Sequence, residues 1–452
     1  MSQNLEQYKK IVIAILVGAL VFALSLSLFT TQQASLLGLI AFLVTLWTNE
    51  GLPLAVVSLL PIVLFPAFSI LDTKATALNY SHPIIFLFLG GFLLAIAVEK
   101  SNLHIWLTEK ILGIFPNTPR GMIFSLVLTS GLLSSILSNT TTTLLLISIA
   151  LFITDDIKLK MRFALAIAYG ASVGGVLTPI GTPPNLILLG IMSDKGIEQI
   201  PFFQWIWMLT PLVFVMFVVV GFLLSIGVSK SSLERNTKKE PLNIMQKKVL
   251  YIIFGLIVLL LLNAPMKPFY NGLGLSEAGV LLFAGLLLFM PPFNVLDWME
   301  DKHLIPYRIM FLFGAGFSIA TAFSGTGLAD EVASYLIVMT ELSPVLLLFS
   351  IAMLITFTTE ITSNTALISI MLPVIYSVAE QTGINATLFM MVATICASYA
   401  FMLPIATPPN AIAMSSGAVN VKTMMKYGMI LNLLGVFFIV MIAEFFWKGV
   451  LF

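Results

Sequence analysis

One cysteine, Cys396, stands alone in 452 residues. A single thiol closes no disulfide within the chain and assembles no cysteine-based metal site. Histidine is nearly as scarce, with His82, His104 and His303 far apart. No HExxH, Walker or GxGxxG motif occurs. The residue patterns of metallohydrolase and nucleotide chemistry are therefore missing, and no organic cofactor is implied. Charge is thin as well. Only 10% of residues are Asp, Glu, Lys or Arg, against roughly 25% in a soluble domain. A net charge of +1 leaves no concentrated basic surface for nucleic acid.

What fills the chain is apolar, at 59% of residues. One water-facing core cannot hide that much, so most of the surface must face lipid. A spanning helix needs roughly 20 mostly apolar residues. Such runs lie near 11–29, 34–48, 52–70, 82–98, 161–192, 209–228, 249–263, 275–292, 308–325, 385–416 and 427–447. The first reads as a span rather than a signal peptide, because it is too long for an h-region and no small-x-small cleavage pattern follows it. Two more apolar stretches, 119–153 and 343–375, are too long for one crossing and are broken midway by Ser138-Asn139-Thr140 and Ser363-Asn364-Thr365. That pattern suits re-entrant hairpins. The expected fold is an all-α polytopic membrane protein with eleven crossings and two hairpins. Segments 99–117 and 293–307, with Trp106 and Trp298, suit helices lying at the interface.

Basic residues test the topology. With the N-terminus cytoplasmic, 18 of the 22 Lys and Arg fall inside and only Lys74, Lys195, Lys267 and Lys448 fall outside. The C-terminus is then outside. Residues 229–248 form the one polar linker of any length, a cytoplasmic one on this reading.

Three motifs recur at a constant offset. Phe86-Leu87-Phe88-Leu89-Gly90-Gly91 returns as Phe311-Leu312-Phe313-Gly314-Ala315-Gly316. Ser138-Asn139-Thr140 returns as Ser363-Asn364-Thr365, and Thr182-Pro183-Pro184-Asn185 as Thr407-Pro408-Pro409-Asn410. The differences 311 − 86, 363 − 138 and 407 − 182 are each 225. The chain thus divides into a first repeat, 1–228, and a second, 249–452. Five crossings separate the two Ser-Asn-Thr motifs, so the second copy is inverted. The base of the first hairpin carries Arg120, Lys158, Lys160 and Arg162, and the base of the second carries Glu341 and Glu380. One hairpin enters from each face, and their tips are expected to meet near the midplane, where inverted-repeat transporters hold their substrate.

Asn and Thr inside an apolar hairpin are costly without partners. The Thr-Pro-Pro-Asn segments should unwind the helices 161–192 and 385–416. Each break frees upstream carbonyls, which suit a small cation, and starts a new helix, whose N-terminus suits an anion. No Arg or Lys accompanies these motifs, so a dianion there needs neutral donors, helix dipoles and co-bound cations. Glu360 lies in the second hairpin, where a carboxylate is a candidate proton site or a structural partner of a hydroxyl or helix end. Its counterpart in the first repeat is Ser135. An intramembrane enzyme lacks a catalytic constellation, and a passive channel is a further class that conductance measurements would separate.

Two Ser-Asn-Thr tips, each followed by a Thr-Pro-Pro-Asn break, resemble the divalent anion/sodium symporter family, the INDY-type dicarboxylate transporters, from about residue 34 to 447. The resemblance implies a homodimer in a bacterial cytoplasmic membrane, with scaffold and transport domains and an elevator mechanism. It implies substrates such as succinate, malate, fumarate, 2-oxoglutarate, citrate or sulfate. It implies substrate contacts at Ser138, Asn139, Thr140, Ser363, Asn364, Thr365, Thr182 and Thr407. Two sodium sites are implied, one at Ser134, Ser138, Asn139 and Gly181 and one at Thr359, Thr362, Asn364 and Ala406. A sodium-independent exchanger, a sulfate or citrate carrier, an arsenite carrier and a sodium/proton antiporter remain open alternatives.

Overall fold

The structure, a computed structural model, describes residues 2–151, 153–228, 241–264, 270–336 and 343–451. Residues 229–240 of the expected linker, and Glu341 at the base of the second hairpin, lie outside the described residues. All regular elements among the described residues are helices: α1 Ser2–Ser25, α2 Thr31–Asn49, α3 Leu54–Ala67, α4 Thr73–Asn79, α5 Pro83–Lys100, α6 Leu103–Leu112 and α7 Pro119–Ser134. Then come α8 Asn139–Ala150, α9 Ile157–Gly175, α10 Pro183–Asp194, α11 Phe202–Ser225, α12 Ile244–Asn263, α13 Glu277–Leu287 and α14 Trp298–Asp301. The chain continues with α15 Tyr307–Gly325, α16 Leu328–Leu336, α17 Pro344–Thr358, α18 Asn364–Thr382, α19 Ala386–Ser398, α20 Pro408–Ser415 and α21 Val421–Ile442.

Among the described residues, eight helical segments are long and apolar enough to cross a membrane: Leu5–Ser25, Thr31–Asn49, Thr73–Lys100, Phe202–Ser225, Ile244–Asn263, Tyr307–Gly325, Asn364–Thr382 and Val421–Val450. Local chemistry sets their ends. Thr30 and Gln33 close a capping box on α2, as Asn243 and Gln246 do on α12, each satisfying orphan N–H groups. Thr118 caps α7 and Ser343 caps α17, with proline at the first helical position of both, where its missing N–H costs nothing. Gly383, at φ 70°, ends α18 in the left-handed conformation. That helix runs seven residues past the 375 expected from hydropathy, because Ser377, Glu380 and Gln381 dilute the apolar signal without breaking the helix. Helix α11 starts at Phe202 rather than 209, since Gln204 and Thr210 lower hydropathy around a buried Trp205.

The described chain resolves into two compact units, each drawing on both halves of the sequence. The first holds residues 1–85, 187–199 and 306–397; the second holds 86–186, 200–305 and 398–452. In the first unit α15 packs on α3 and α18, around buried Leu36, Leu43, Phe65, Ile319, Phe323 and Val374. Helices α1 and α2 cross so closely that a Cβ on Gly18 would lie 2.9 Å from the Gly38 carbonyl. In the second unit α7 and α9 meet with the backbones of Gly131 and Gly174 in direct apposition. Helix α20 packs against both α8 and α9. The helix that follows the second Thr-Pro-Pro-Asn break is therefore a neighbour of the first hairpin.

Candidate functional site

The first hairpin is α7, a short turn and α8, all in the second unit. Ser134 ends α7 and its hydroxyl donates to Asn139 Oδ1 at the start of α8. Ser138 Oγ accepts the Thr141 N–H at 3.1 Å, capping α8. The N–H groups of Asn139 and Thr140 lie in the first turn of α8, where no carbonyl of the same helix reaches them. A helix start of this kind attracts anions.

The first unwound segment, 176–182, lies in the same unit. Pro179 carries no N–H, so the Gly175 carbonyl loses the amide that would have continued α9. That carbonyl sits beside Gly181, where an added Cβ would strike it. Gly175 in turn faces Asn139, whose Oδ1 would lie 2.9 Å from an added Cβ. Ser134, Asn139 and Gly181 are thus gathered around the end of α9. Thr178 ties the segment to the hairpin by donating to the Ser135 carbonyl at 2.5 Å. Asn185 Nδ2 donates back to the Thr178 carbonyl at 2.9 Å, and Trp205 Nε1 to the Val176 carbonyl at 3.0 Å.

The second hairpin, α17 and α18, lies in the first unit and repeats the geometry. Thr359 Oγ1 sits 2.6 Å from Asn364 Oδ1 and 2.9 Å from the Ala397 carbonyl. Thr362 donates to the Thr358 carbonyl at 2.8 Å, and Ser363 caps α18. Glu360 is 3% exposed. Thr365 and Ser369 are buried, with Ser369 Oγ donating to the Thr365 carbonyl at 2.9 Å.

The second unwound segment, 399–407, belongs to the second unit with Ala406 and Thr407. Pro404 removes the amide that would have served the Ala400 carbonyl. Here that carbonyl accepts from Asn410 Nδ2 at 3.0 Å, as Leu403 does at 3.1 Å. Asn432 Oδ1 accepts from the Phe401 N–H at 3.3 Å. Thr407 is the N-cap of α20, yet its hydroxyl caps nothing. Among the described residues Thr407 Oγ1, Asn185 Oδ1 and Asn410 Oδ1 are buried and have no hydrogen-bond partner. Leaving such atoms unpaired is costly.

Of the residues picked out from the sequence, Ser134, Ser138, Asn139, Thr140, Gly181, Thr182, Ala406 and Thr407 fall in the second unit, and Thr359, Glu360, Thr362, Ser363, Asn364 and Thr365 in the first. The break helices open on Pro183-Pro184 and Pro408-Pro409, so two of their first N–H groups do not exist. The free amides come instead from α8 and α18. Pro179, Pro404, Gly175, Trp205 and Asn432 went unnoticed in the sequence. Pro179 and Pro404 are again 225 apart and were legible; the contacts of Trp205 and Asn432 were not. No charged side chain belongs to either tip apart from Glu360. The arrangement offers hydroxyl, amide and carbonyl oxygens to small hard cations and N–H groups to an anion.

A family model of citrate transporters matches residues 42–386. The chain is 31% identical to the sodium-dependent dicarboxylate transporter SdcS of Staphylococcus saprophyticus, covering 96% of this chain and 91% of that protein. It is also 31% identical to SdcS of Staphylococcus aureus, over 96% of this chain and 90% of the other. Among solved structures, the YdaH transporter of Alcanivorax borkumensis superposes with a TM-score of 0.59 at 16% identity, over 83% of this chain and 88% of that one. MtrF of Neisseria gonorrhoeae, an antimetabolite efflux pump, gives 0.59 at 14% identity over 82% of each chain. At those identities the likeness is one of fold.

Proposed function

Because the chain belongs to the citrate transporter family, we propose that it carries small dianions, C4-dicarboxylates such as succinate, malate and fumarate, by sodium-coupled symport. It is an integral membrane transporter, not an enzyme, as its relatives are. The observation that carries the reading is one hydrogen bond made twice. A hydroxyl at 134 meets the Asn139 oxygen, and a hydroxyl at 359 meets the Asn364 oxygen, 225 residues on.

On this reading each tip and its break form a cation site: Ser134, Ser138, Asn139 and Gly181 for one sodium ion, and Thr359, Thr362, Asn364 and Ala406 for the other. The dianion lies against Ser138, Asn139, Thr140, Ser363, Asn364 and Thr365, flanked by Thr182 and Thr407. With no Arg or Lys there, bound cations neutralise it, since burying a bare dianion is prohibitive. Coupling is then an electrostatic need. The same reading takes eleven crossings, two re-entrant hairpins in inverted repeats, an N-terminus inside and a C-terminus outside. It takes a homodimer moving its transport domain as an elevator in a bacterial cytoplasmic membrane. The sodium-dependent relatives support the coupling ion.

Uptake of labelled succinate into proteoliposomes, with and without an inward sodium gradient, tests it. Gradient-driven accumulation is expected; equal uptake in both cases sinks sodium coupling and favours the exchanger. Buried Glu360 keeps a proton role in view, and loss of pH-dependent uptake in Glu360→Gln would select it.

A further inference from the structure

One lysine, away from both tips, is held by neutral partners. Lys195 directly follows α10 and is half-buried. Its ammonium lies 3.1 Å from Ser324 Oγ, near the end of α15, and 4.8 Å from the centre of the Tyr376 ring on α18. Among the described residues no carboxylate pairs with it. An ammonium has three N–H groups. Ser324 takes one and the ring face draws the cation, which leaves an N–H for a carboxylate oxygen. Ser324 Oγ accepts from Lys195 and keeps its own proton. Two donors, one of them charged, thus stand side by side, half-buried rather than sealed. The acid one turn beyond Tyr376, Glu380, is exposed, where water and salt screen it.

The neighbouring acid is turned aside. Asp194 Oδ1 meets His82 Nε2 at 3.2 Å. His82 Nδ1 accepts the Ile84 N–H at 3.3 Å, so the ring proton sits on Nε2 and is donated to Asp194. The His82 ring is buried, its centre 4.5 Å from that of Phe317. All of these residues lie in the first unit. Two helices set the height of Lys195. The 12 residues of α10 separate it from the first break, and 376 − 364 places Tyr376 the same 12 residues beyond Asn364. Such a length of α-helix rises about 18 Å, a little more than half of a hydrocarbon core roughly 30 Å thick. A helix that starts at the midplane therefore ends at the membrane surface. The second repeat has no such cation, since position 420, at the offset of 225, is asparagine.

We propose that Lys195, with Ser324, is an anion landing site at the membrane surface, where a dicarboxylate is captured before it reaches the tips. Tyr376 orients the ammonium, and His82 is a positioning residue that keeps the Asp194 carboxylate off it, so the charge stays available. The tips hold no Arg or Lys. The attraction that draws the substrate from water therefore comes from elsewhere in the chain, and it acts more strongly on a dianion than on a monoanion. Lys195 serves one face of the membrane only. This rests on the dicarboxylate reading above.

The test is the KM and Vmax for succinate uptake by the reconstituted full chain at saturating sodium, with and without added choline chloride. Wild-type KM should rise with salt, because screening shortens the reach of a surface charge. Lys195→Met should raise KM roughly tenfold at low salt, the lower end of what steering charges do for capture, with Vmax within about twofold. Little salt dependence should be left. Lys195→Arg keeps the charge and should stay close to wild type. His82→Phe frees Asp194 to pair with Lys195 and should raise KM; adding Asp194→Asn should bring it back down. Lys74→Met, at another lysine expected on that face, is the control and should leave KM unchanged. Lys195→Cys gives charge rescue, since Cys396 is buried. A membrane-impermeant cationic methanethiosulfonate should restore uptake, and an anionic one should not. A Lys195→Arg as impaired as Lys195→Met, a loss that salt does not touch, an equal loss in Lys74→Met, or a Lys195→Cys that the two reagents do not separate overturns the proposal. So does a double variant no better than His82→Phe. If the wild-type protein takes up no dicarboxylate, that reading fails first and this inference falls with it.

Discussion

The two hairpin tips share a design and differ in how tightly it is drawn. Both join a hydroxyl at the end of one helix to the asparagine that starts the next, Ser134 to Asn139 and Thr359 to Asn364. At the breaks the repeats part. Gly175 and Gly181 line the first, whereas Ala400 and Ala406 hold the equivalent places in the second. In the first break the Gly175 carbonyl stands against Gly181 and Asn139. In the second the Ala400 carbonyl is taken by the Asn410 amide. Duplication supplies a hydroxyl, an amide and a broken helix twice over. Single substitutions then decide which oxygens stay available.

Removing what the tips share should have the largest effect. Asn139→Ala and Asn364→Ala each lose an oxygen that meets the neighbouring hydroxyl. Succinate uptake in proteoliposomes should fall by roughly 100-fold or more, the scale for deleting a preorganised polar group from a working site. Both variants should still insert and elute from size-exclusion chromatography at the wild-type position. Wild-type-like uptake in both would refute the site assignment.

Exchanging what the breaks do not share comes next. Gly175→Ala places a Cβ 2.9 Å from Asn139 Oδ1, and Gly181→Ala drives one into the Gly175 carbonyl. Overpacking of this kind costs about 1–3 kcal/mol, so uptake should drop by about tenfold or more. The reverse changes, Ala400→Gly and Ala406→Gly, remove one methyl each and add backbone freedom, at about 1 kcal/mol. Their uptake should stay within a fewfold of wild type. Equal losses in both directions would mean that the glycines of the first break are not there for close approach.

The repeat and its breaks were legible because they rest on local chemistry. Ser-Asn-Thr inside an apolar run and Thr-Pro-Pro-Asn inside a helix announce themselves through polarity and proline geometry, and a constant offset ties them together. Helix ends were less legible where aromatic or polar residues sit inside a span, as at the start of α11 and the end of α18. What could not be read was any property that depends on which distant residues meet. Trp205 looks like a membrane tryptophan until its Nε1 is seen on the Val176 carbonyl. The interleaving of the two units across both halves of the chain leaves no trace in hydropathy at all.

Trp205 provides a smaller test of the same contrast. Trp205→Phe keeps the ring packing of a fully buried side chain but orphans the Val176 carbonyl, a loss of about 1–3 kcal/mol. In the second break Asn432 meets an N–H, that of Phe401, rather than a carbonyl, and Asn432→Ala should cost a similar amount. Thermal unfolding of the purified proteins should show a lowered midpoint in each. Unchanged midpoints would mean that the unwound segments hold their shape without these side chains.

The smallest effect is expected where the second tip is made to look like the first. Ala366→Ser restores a hydroxyl next to Ser363, at a position 2% exposed. In the first tip the Thr141 hydroxyl lies 2.8 Å from Ser138 Oγ, and alanine holds the matching place in the second. A hydroxyl both donates and accepts, so the new one can give its proton to Ser363 Oγ and leave Ser363 free to donate. The sodium half-saturation and the succinate KM should both stay within about twofold of wild type, less than the worth of one net hydrogen bond. A large rise in the succinate KM would show that a hydroxyl at this position captures the Ser363 proton unaided. Polarity at the tips would then be set by residues 141 and 366.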